Sequence, residues 1–98
     1  MTRRPAETPA VAREWGKDWA TALFKDFRAH PEYLGPKFTW EGFPAMAGRL
    51  CEASAGTHFV SRRWRTLGAI AGAAAVERAS ELIAETGLVP TTKKERPQ

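Results

Sequence analysis

The chain of 98 residues fits one small domain, and its 43% hydrophobic content with four tryptophans excludes a disordered protein. Its single cysteine, Cys51, excludes an internal disulfide framework and suits a reducing compartment. The formal charge of +4 and the pI of 9.7 favour an acidic partner, nucleic acid included.

Both ends of the chain are polar, and we expect residues 1–7 to form a flexible arm and residues 91–98 a flexible tail. No apolar run follows Arg3 and Arg4, so a secretory signal is not expected. The longest apolar stretch, Leu67 to Val76, is about half of the ~20 residues that a membrane span needs. These features predict a cytoplasmic protein without a membrane partner.

The first helix is predicted over residues 9–29. Thr8 supplies a capping hydroxyl, and Pro9 follows it at a position where no amide hydrogen is needed. Apolar residues recur at spacings of three and four and form one stripe of Val11, Trp15, Trp19, Ala22, Leu23 and Phe27. Phe24 lies off this stripe, so it either widens the apolar face or leaves an aromatic ring exposed. Gly16 costs about 1 kcal/mol relative to alanine, which indicates close packing beside the tryptophans.

His30 ends this helix because the residue before a proline is pushed out of the helical region. We expect the following loop, residues 32–42, to be ordered by burial of its rings. These rings belong to Tyr33, Phe38 and Trp40. A short second helix is predicted from Gly42 to about Ala55, with Gly56 as its C-terminal stop.

Thr57 is predicted to cap a long third helix that continues to Thr86. Gly87 fits the left-handed position after that helix, and Ile83 and Leu88 are the hydrophobic pair of a Schellman ending. No alternation long enough for a strand is present. The expected fold is therefore all-α, a single three-helix domain over residues 8–90 with a long C-terminal helix.

The sequence offers few groups for catalysis. Cys51 lies on the apolar side of the second helix with nothing adjacent to lower its pKa, and His30 lies at a helix end. His58 is a candidate neighbour of Cys51, but no third residue is placed to orient such a pair. No metal-ligand spacing, phosphate loop or nucleophile elbow is present. We therefore predict no enzymatic activity, no cofactor and no metal.

The segments Ala55-Gly56 and Val60-Ser61-Arg62-Arg63 resemble the turn and recognition helix of helix-turn-helix regulators, with a shorter spacing between them. This resemblance implies DNA binding. Three arginines surround Trp64 in the sequence, namely Arg62, Arg63 and Arg65. They are suited to contact phosphates while the indole stacks on a base. The alternative is that Trp64 is a core residue and the arginines form a solvated face.

Small residues in the third helix predict a close contact with another helix. Gly68 and Gly72 are spaced by four, as are Ala71 and Ala75. Two antiparallel copies that cross at Gly72 would place arginine opposite glutamate twice, which predicts an isologous homodimer. The predicted dimer interface is Arg63, Gly68, Ala71, Gly72, Ala75 and Glu81. The alternative is that the small residues pack against the first helix of the same chain.

The aromatic and cationic residues suit a protein that binds another macromolecule. The predicted partner-binding residues are Phe24, Tyr33, Trp40, Arg62 and Arg65. In size, basic charge and helical makeup the chain resembles small bacterial antiactivators that block quorum-sensing regulators, which implies binding to a transcription factor. We predict a non-enzymatic regulatory protein that binds and inhibits a larger protein. The alternative is a nucleic-acid-binding protein that uses Arg62, Arg63 and Arg65.

Overall fold

The computed structural model of the protein describes residues 7–88. This part of the chain forms three α-helices, α1 (Pro9–Ala29), α2 (Phe43–His58) and α3 (Trp64–Thr86), and a short 3₁₀ helix (Pro31–Tyr33). Residues 7–88 contain no β-strand, which confirms the all-helical prediction. The predicted long C-terminal helix is present as α3, although it begins later than expected. The predicted tail and all of the predicted arm except Glu7 lie outside the described residues.

Helix α1 begins and ends at the predicted residues. The Thr8 Oγ1 accepts a hydrogen bond from the Val11 amide at 3.2 Å, and Pro9 occupies the first turn. At the other end, the His30 amide donates to the Asp26 carbonyl at 2.9 Å, and Pro31 follows. The local signals at these two ends therefore predict where the helix begins and ends.

The buried face of α1 differs from the predicted stripe. Its four buried residues are Ala12, Gly16, Ala20 and Phe24. Ala22 is exposed, and the larger residues of the predicted stripe are only half-buried. The reason is that α3 packs closely against the small residues, while Trp15 and Phe27 lie to one side and contact rings of α2 and its C-terminal end. Gly16 is thus required by α3 rather than by the tryptophans.

The predicted boundary between α2 and α3 is wrong. Helix α2 continues through Gly56 and Thr57 to His58, and α3 begins at Trp64. A continued helix places Phe59, which is 3% exposed, in line with the buried Cys51 and Ala55 at intervals of four residues. Thr57 does not cap α3, since its hydroxyl donates to the Ser54 carbonyl at 2.9 Å. Burial of Phe59 therefore outweighs the tendency of glycine to end a helix.

The connection between α2 and α3 is held by a residue from the start of the described chain. The Glu7 carboxylate accepts hydrogen bonds from the amides of Val60 at 3.1 Å and Ser61 at 2.7 Å. The Ser61 hydroxyl accepts a hydrogen bond from the Arg63 amide at 3.0 Å just before α3 begins. These bonds satisfy amides that no helix satisfies, and they fix the direction in which α3 starts.

The predicted ending of α3 is confirmed. Gly87 has a φ of 69°, the left-handed conformation that glycine adopts at low cost. Its amide donates to the Ile83 carbonyl at 3.0 Å, and the Leu88 amide donates to the same oxygen at 3.3 Å. Leu88 also packs against the buried cluster that includes Ile83.

Helix α3 lies between the other two helices, which contact each other far less. A Cβ atom on Gly16 of α1 would overlap with the Ala71 carbonyl oxygen of α3. On the other side, a Cβ atom on Gly72 would lie 3.0 Å from the Gly48 carbonyl oxygen of α2. The small residues of α3 therefore allow α1 and α2 to pack closely against it.

Candidate functional site

An open apolar cleft lies between the C-terminal end of α1, the loop that follows it and the first turns of α2. Its volume is about 430 Å³, within the range of ligand and side-chain pockets in proteins. The cleft is lined by Phe27, Tyr33, Leu34, Gly35, Pro36, Lys37, Phe38 and Met46.

Phe27 and Phe38 of the cleft wall belong to a cluster of aromatic rings around Phe43, which is completely buried at the start of α2. The Phe43 ring centroid lies 5.2 Å from that of Trp40, 5.7 Å from Phe27 and 6.1 Å from Phe24. Most of these rings meet edge to face or tilted, the arrangement that aromatic pairs favour. The rings therefore hold the cleft wall in one position.

Backbone hydrogen bonds order the loop along the cleft. The Tyr33 amide donates to the His30 carbonyl, and the Leu34 amide to the Pro31 carbonyl, both at 3.0 Å. The Phe38 amide donates to the Gly35 carbonyl at 3.1 Å. The Tyr33 ring stacks on His30 with 4.8 Å between the ring centroids and 20° between the planes. These contacts hold the loop that forms one side of the cleft.

The three aromatics predicted to contact a partner differ in exposure. Phe24 is only 6% exposed, so the structure places it in the core and corrects the expectation of a surface residue. Trp40 is half-buried, with its ring centroid 5.5 Å from Phe24 and 4.9 Å from Phe38. Tyr33 is 61% exposed and lies on the cleft wall. Of the three, Tyr33 alone presents most of its side chain to solvent.

A smaller cleft of about 160 Å³ adjoins the first and shares Lys37, Phe38 and Met46 with it. Its other lining residues are Thr39, Gly42 and Arg49. Within residues 7–88, no ion pair involves Lys37 or Arg49. The apolar cleft therefore continues into a cationic region that holds no acidic partner.

Sequence reasoning missed both cations. Lys37 lies in the aromatic loop between Pro36 and Phe38, and Arg49 follows Met46 by three residues on α2. Residues three apart on a helix are neighbours, so the spacing places Arg49 beside Met46 on α2. Packing of the aromatic loop on the same side of α2 would bring Lys37 to this place as well. The packing of that loop against α2 depends on tertiary contacts, which the spacing alone does not give.

The predicted basic cluster lies at the other end of α2. Arg62 and Arg63 precede α3 and are exposed, and Arg65 is in its first turn. Trp64 is 37% exposed, and the Arg65 guanidinium carbon lies 5.1 Å from the centre of its ring. A Cβ atom on Gly56 of α2 would lie 3.4 Å from the nearest atom of this ring. Trp64 is therefore partly exposed rather than a core residue, and its contact with nucleic acid stays a prediction.

The resemblance to a helix-turn-helix does not extend to the backbone. Ala55 and Gly56, which resemble the turn, lie within α2. The segment Val60-Ser61-Arg62-Arg63, which resembles the recognition helix, forms the non-helical connection before α3. The cluster therefore keeps its charge without a recognition helix to present it.

The small-residue face predicted to form a dimer is covered within the chain. Gly68, Ala71, Gly72 and Ala75 are all buried. Ala71 faces Gly16 of α1, and Gly72 faces Gly48 of α2. A second copy cannot cross at Gly72 unless α1 or α2 moves away. The observed packing matches the alternative of contact within one chain and extends it to both neighbouring helices.

Glu81, which was predicted to face an arginine of a second copy, instead pairs with an arginine of its own helix. The Glu81 Oε1 lies 3.0 Å from Nη1 of Arg78 in the same helix. The Arg78 Nε donates a hydrogen bond to the Thr21 hydroxyl of α1 at 3.1 Å, so Arg78 links the two helices. Arg63 precedes α3 rather than lying in it. Of the three arginines around Trp64 in the sequence, only Arg65 therefore lies in α3.

Within residues 7–88, no group of three or more His, Cys, Asp or Glu side chains is placed to hold a metal ion. Cys51 is completely buried, and this burial raises the pKa of its thiol from 9.0 to about 11, with a smaller contribution from the Glu52 carboxylate. No helix among the described residues has both the length and the apolar character needed to cross a membrane.

No family model, curated protein or solved structure matches this chain.

Proposed function

We propose that the protein is a non-enzymatic regulator that binds a larger protein through the apolar cleft at the end of α1. The observation that supports this proposal is the cleft of about 430 Å³, with the 61%-exposed Tyr33 on its wall. A concave apolar surface beside a polar rim is typical of the centre of a protein interface. A hydrophobic side chain of the partner would fill the cleft and release the water there.

The order of the cleft adds to the proposal. Binding to a flexible loop costs conformational entropy, whereas the hydrogen bonds and ring contacts of residues 30–43 already hold this loop. A tyrosine on such a wall loses little further freedom and offers both an apolar ring and a hydroxyl. Occupation of the partner's surface would then block its other contacts. The resemblance to antiactivators suggests a transcription factor as the partner.

A second candidate function is nucleic-acid binding through Arg62, Arg63 and Arg65. The observation that favours it is the half-exposed Trp64, which lies beside three arginines, with Arg65 already stacked on its ring. Aromatic rings with neighbouring cations bind single-stranded nucleic acid by stacking and by phosphate contacts. The cleft is concave, apolar and bordered by a hydrogen-bonded loop, so protein binding is the first proposal.

Photo-crosslinking in cells of the native host separates the two functions. A benzoylphenylalanine is placed at Tyr33 in the cleft, at Arg62 in the basic cluster, or at Ala73 on the exposed side of α3. We expect a protein adduct at position 33 that survives nuclease treatment, and none at position 73. A nuclease-sensitive adduct at position 62 alone would favour the second candidate. Absence of an adduct at position 33 would contradict the first proposal.

A further inference from the structure

We infer that the segment bound in the cleft is acidic as well as hydrophobic: it places an apolar side chain in the larger cleft and a carboxylate beside Lys37 and Arg49. This inference rests on the proposed function and names the chemistry of the partner. The two clefts share Lys37, Phe38 and Met46, so one short segment can occupy both at once.

The charges around the clefts support an acidic occupant. Lys37 and Arg49 are exposed, and neither forms an ion pair within residues 7–88. The nearby Glu32 forms a contact with His30 at 3.1 Å instead, and neither Glu32 nor Glu41 lines either cleft. Arginine binds a carboxylate through two parallel hydrogen bonds, and the hydroxyl of Thr39 offers a further donor.

The termini of this chain do not match the clefts in charge. The segment after the described residues carries Lys93, Lys94 and Arg96 against Glu95, and the segment before them carries Arg3 and Arg4. Like charges placed together weaken binding, so a basic segment is disfavoured beside Lys37 and Arg49. Charge complementarity therefore favours a separate, acidic partner over either terminus.

Selection of random peptides displayed on phage tests the inference with the full chain immobilised. Peptides enriched on the wild-type protein are expected to carry a large apolar residue with Asp or Glu within about one helical turn. The double variant Lys37→Glu/Arg49→Glu is expected to bind these peptides at least tenfold more weakly and to select basic residues beside the same apolar anchor. The control Arg13→Glu/Lys25→Glu has the same net charge, alters exposed residues that line neither cleft and is expected to keep the wild-type preference.

The outcomes distinguish this inference from the proposed function. Selected peptides that lose binding to the Tyr33→Ala variant and yet show no enrichment of Asp or Glu would overturn the inference. That result would leave protein binding at the cleft in place. Failure to select any peptide that depends on Tyr33 would overturn both. Self-association that is abolished by Lys37→Glu/Arg49→Glu but not by the control would assign the cleft to a second copy and also overturn the inference. Circular dichroism of each variant checks that it remains folded.

Discussion

Cys51 lies in the core where α2 approaches the other helices, together with Ala12, Ala20 and Leu67. Its thiolate would have to form without water, so burial raises the pKa of the thiol from 9.0 to about 11. The neutral thiol then behaves as a small apolar side chain. The buried position agrees with the predicted apolar face of α2.

This shift gives a stability prediction with a definite sign. Because the pKa is higher in the folded chain, the unfolded chain loses its proton first, from pH 9.0 upward. The stabilising contribution is fully present below pH 9.0 and is lost as the pH rises to about 11. In this pH range, the free energy of unfolding measured in urea should fall more steeply for the wild type than for Cys51→Ala. The difference in slope is at most about 1.4 kcal/mol per pH unit. Parallel pH profiles for the two proteins would contradict this assignment.

The aromatic residues show what a local pattern leaves open. Phe24 and Tyr33 both lie off the predicted helical stripe, yet Phe24 is buried and Tyr33 is 61% exposed. Phe24 enters the core because α1 turns its small residues toward α3, which also directs Phe24 inward. Tyr33 stays outside because the 3₁₀ helix stacks it on His30. Both residues are aromatic, and the packing of neighbouring elements decides the difference.

At the scale of elements, two glycines that were both predicted to follow the end of a helix behave differently. Gly87 ends α3 in the left-handed conformation, as predicted, whereas Gly56 lies within α2. After Gly87, the Leu88 amide closes the helix end on the Ile83 carbonyl. After Gly56, the chain gains by continuing the helix, since that continuation buries Phe59. Local signals therefore predicted one boundary, and a tertiary contact moved the other.

The close approach of α1 to α3 predicts an unusual response to alanine. In Gly16→Ala, the new Cβ would overlap with the Ala71 carbonyl oxygen and lie 2.8 Å from its carbonyl carbon. We expect the free energy of unfolding to fall by about 1–3 kcal/mol, even though alanine favours a helix by about 1 kcal/mol. Chemical denaturation measures this change.

Gly56→Ala is the matched control in another helix. Its Cβ would lie 3.4 Å from the nearest Trp64 ring atom, an ordinary contact. The helix preference of alanine should therefore stabilise the chain by up to about 1 kcal/mol. If Gly16→Ala were also stabilising, the close contact between α1 and α3 would be incorrect.

At the scale of the whole molecule, α3 is the helix on which the other two are assembled. Two buried clusters lie along it, one with Ala12, Cys51 and Phe59 and the other with Phe24, Phe43 and Ile83. Its small residues face α1 on one side and α2 on the other. This arrangement uses the face that the sequence suggested for a second copy. Homodimerisation itself stays a prediction.

Gly72→Leu distinguishes packing within the chain from packing between chains. A side chain at this position meets the Gly48 carbonyl oxygen and Glu52, so we expect the free energy of unfolding to fall by about 3 kcal/mol or more. Ala73→Leu is the control on the exposed side of α3 and should change stability by less than about 0.5 kcal/mol. Urea unfolding and sedimentation velocity measure both. A fully stable Gly72→Leu chain that changes from dimer to monomer would show that the face is intermolecular.

The sequence by itself determined the helical class, the bounds of α1 and the end of α3. These features depend on capping groups, prolines and a left-handed glycine, whose effects act within a few residues. Only the tertiary structure decided the extent of α2, the buried face of α1 and the place of the small residues between three helices. It also decided the cleft, because Tyr33, Lys37 and Arg49 come together only when the aromatic loop packs on α2. Such contacts join residues whose proximity depends on packing, and local periodicity carries no information about them.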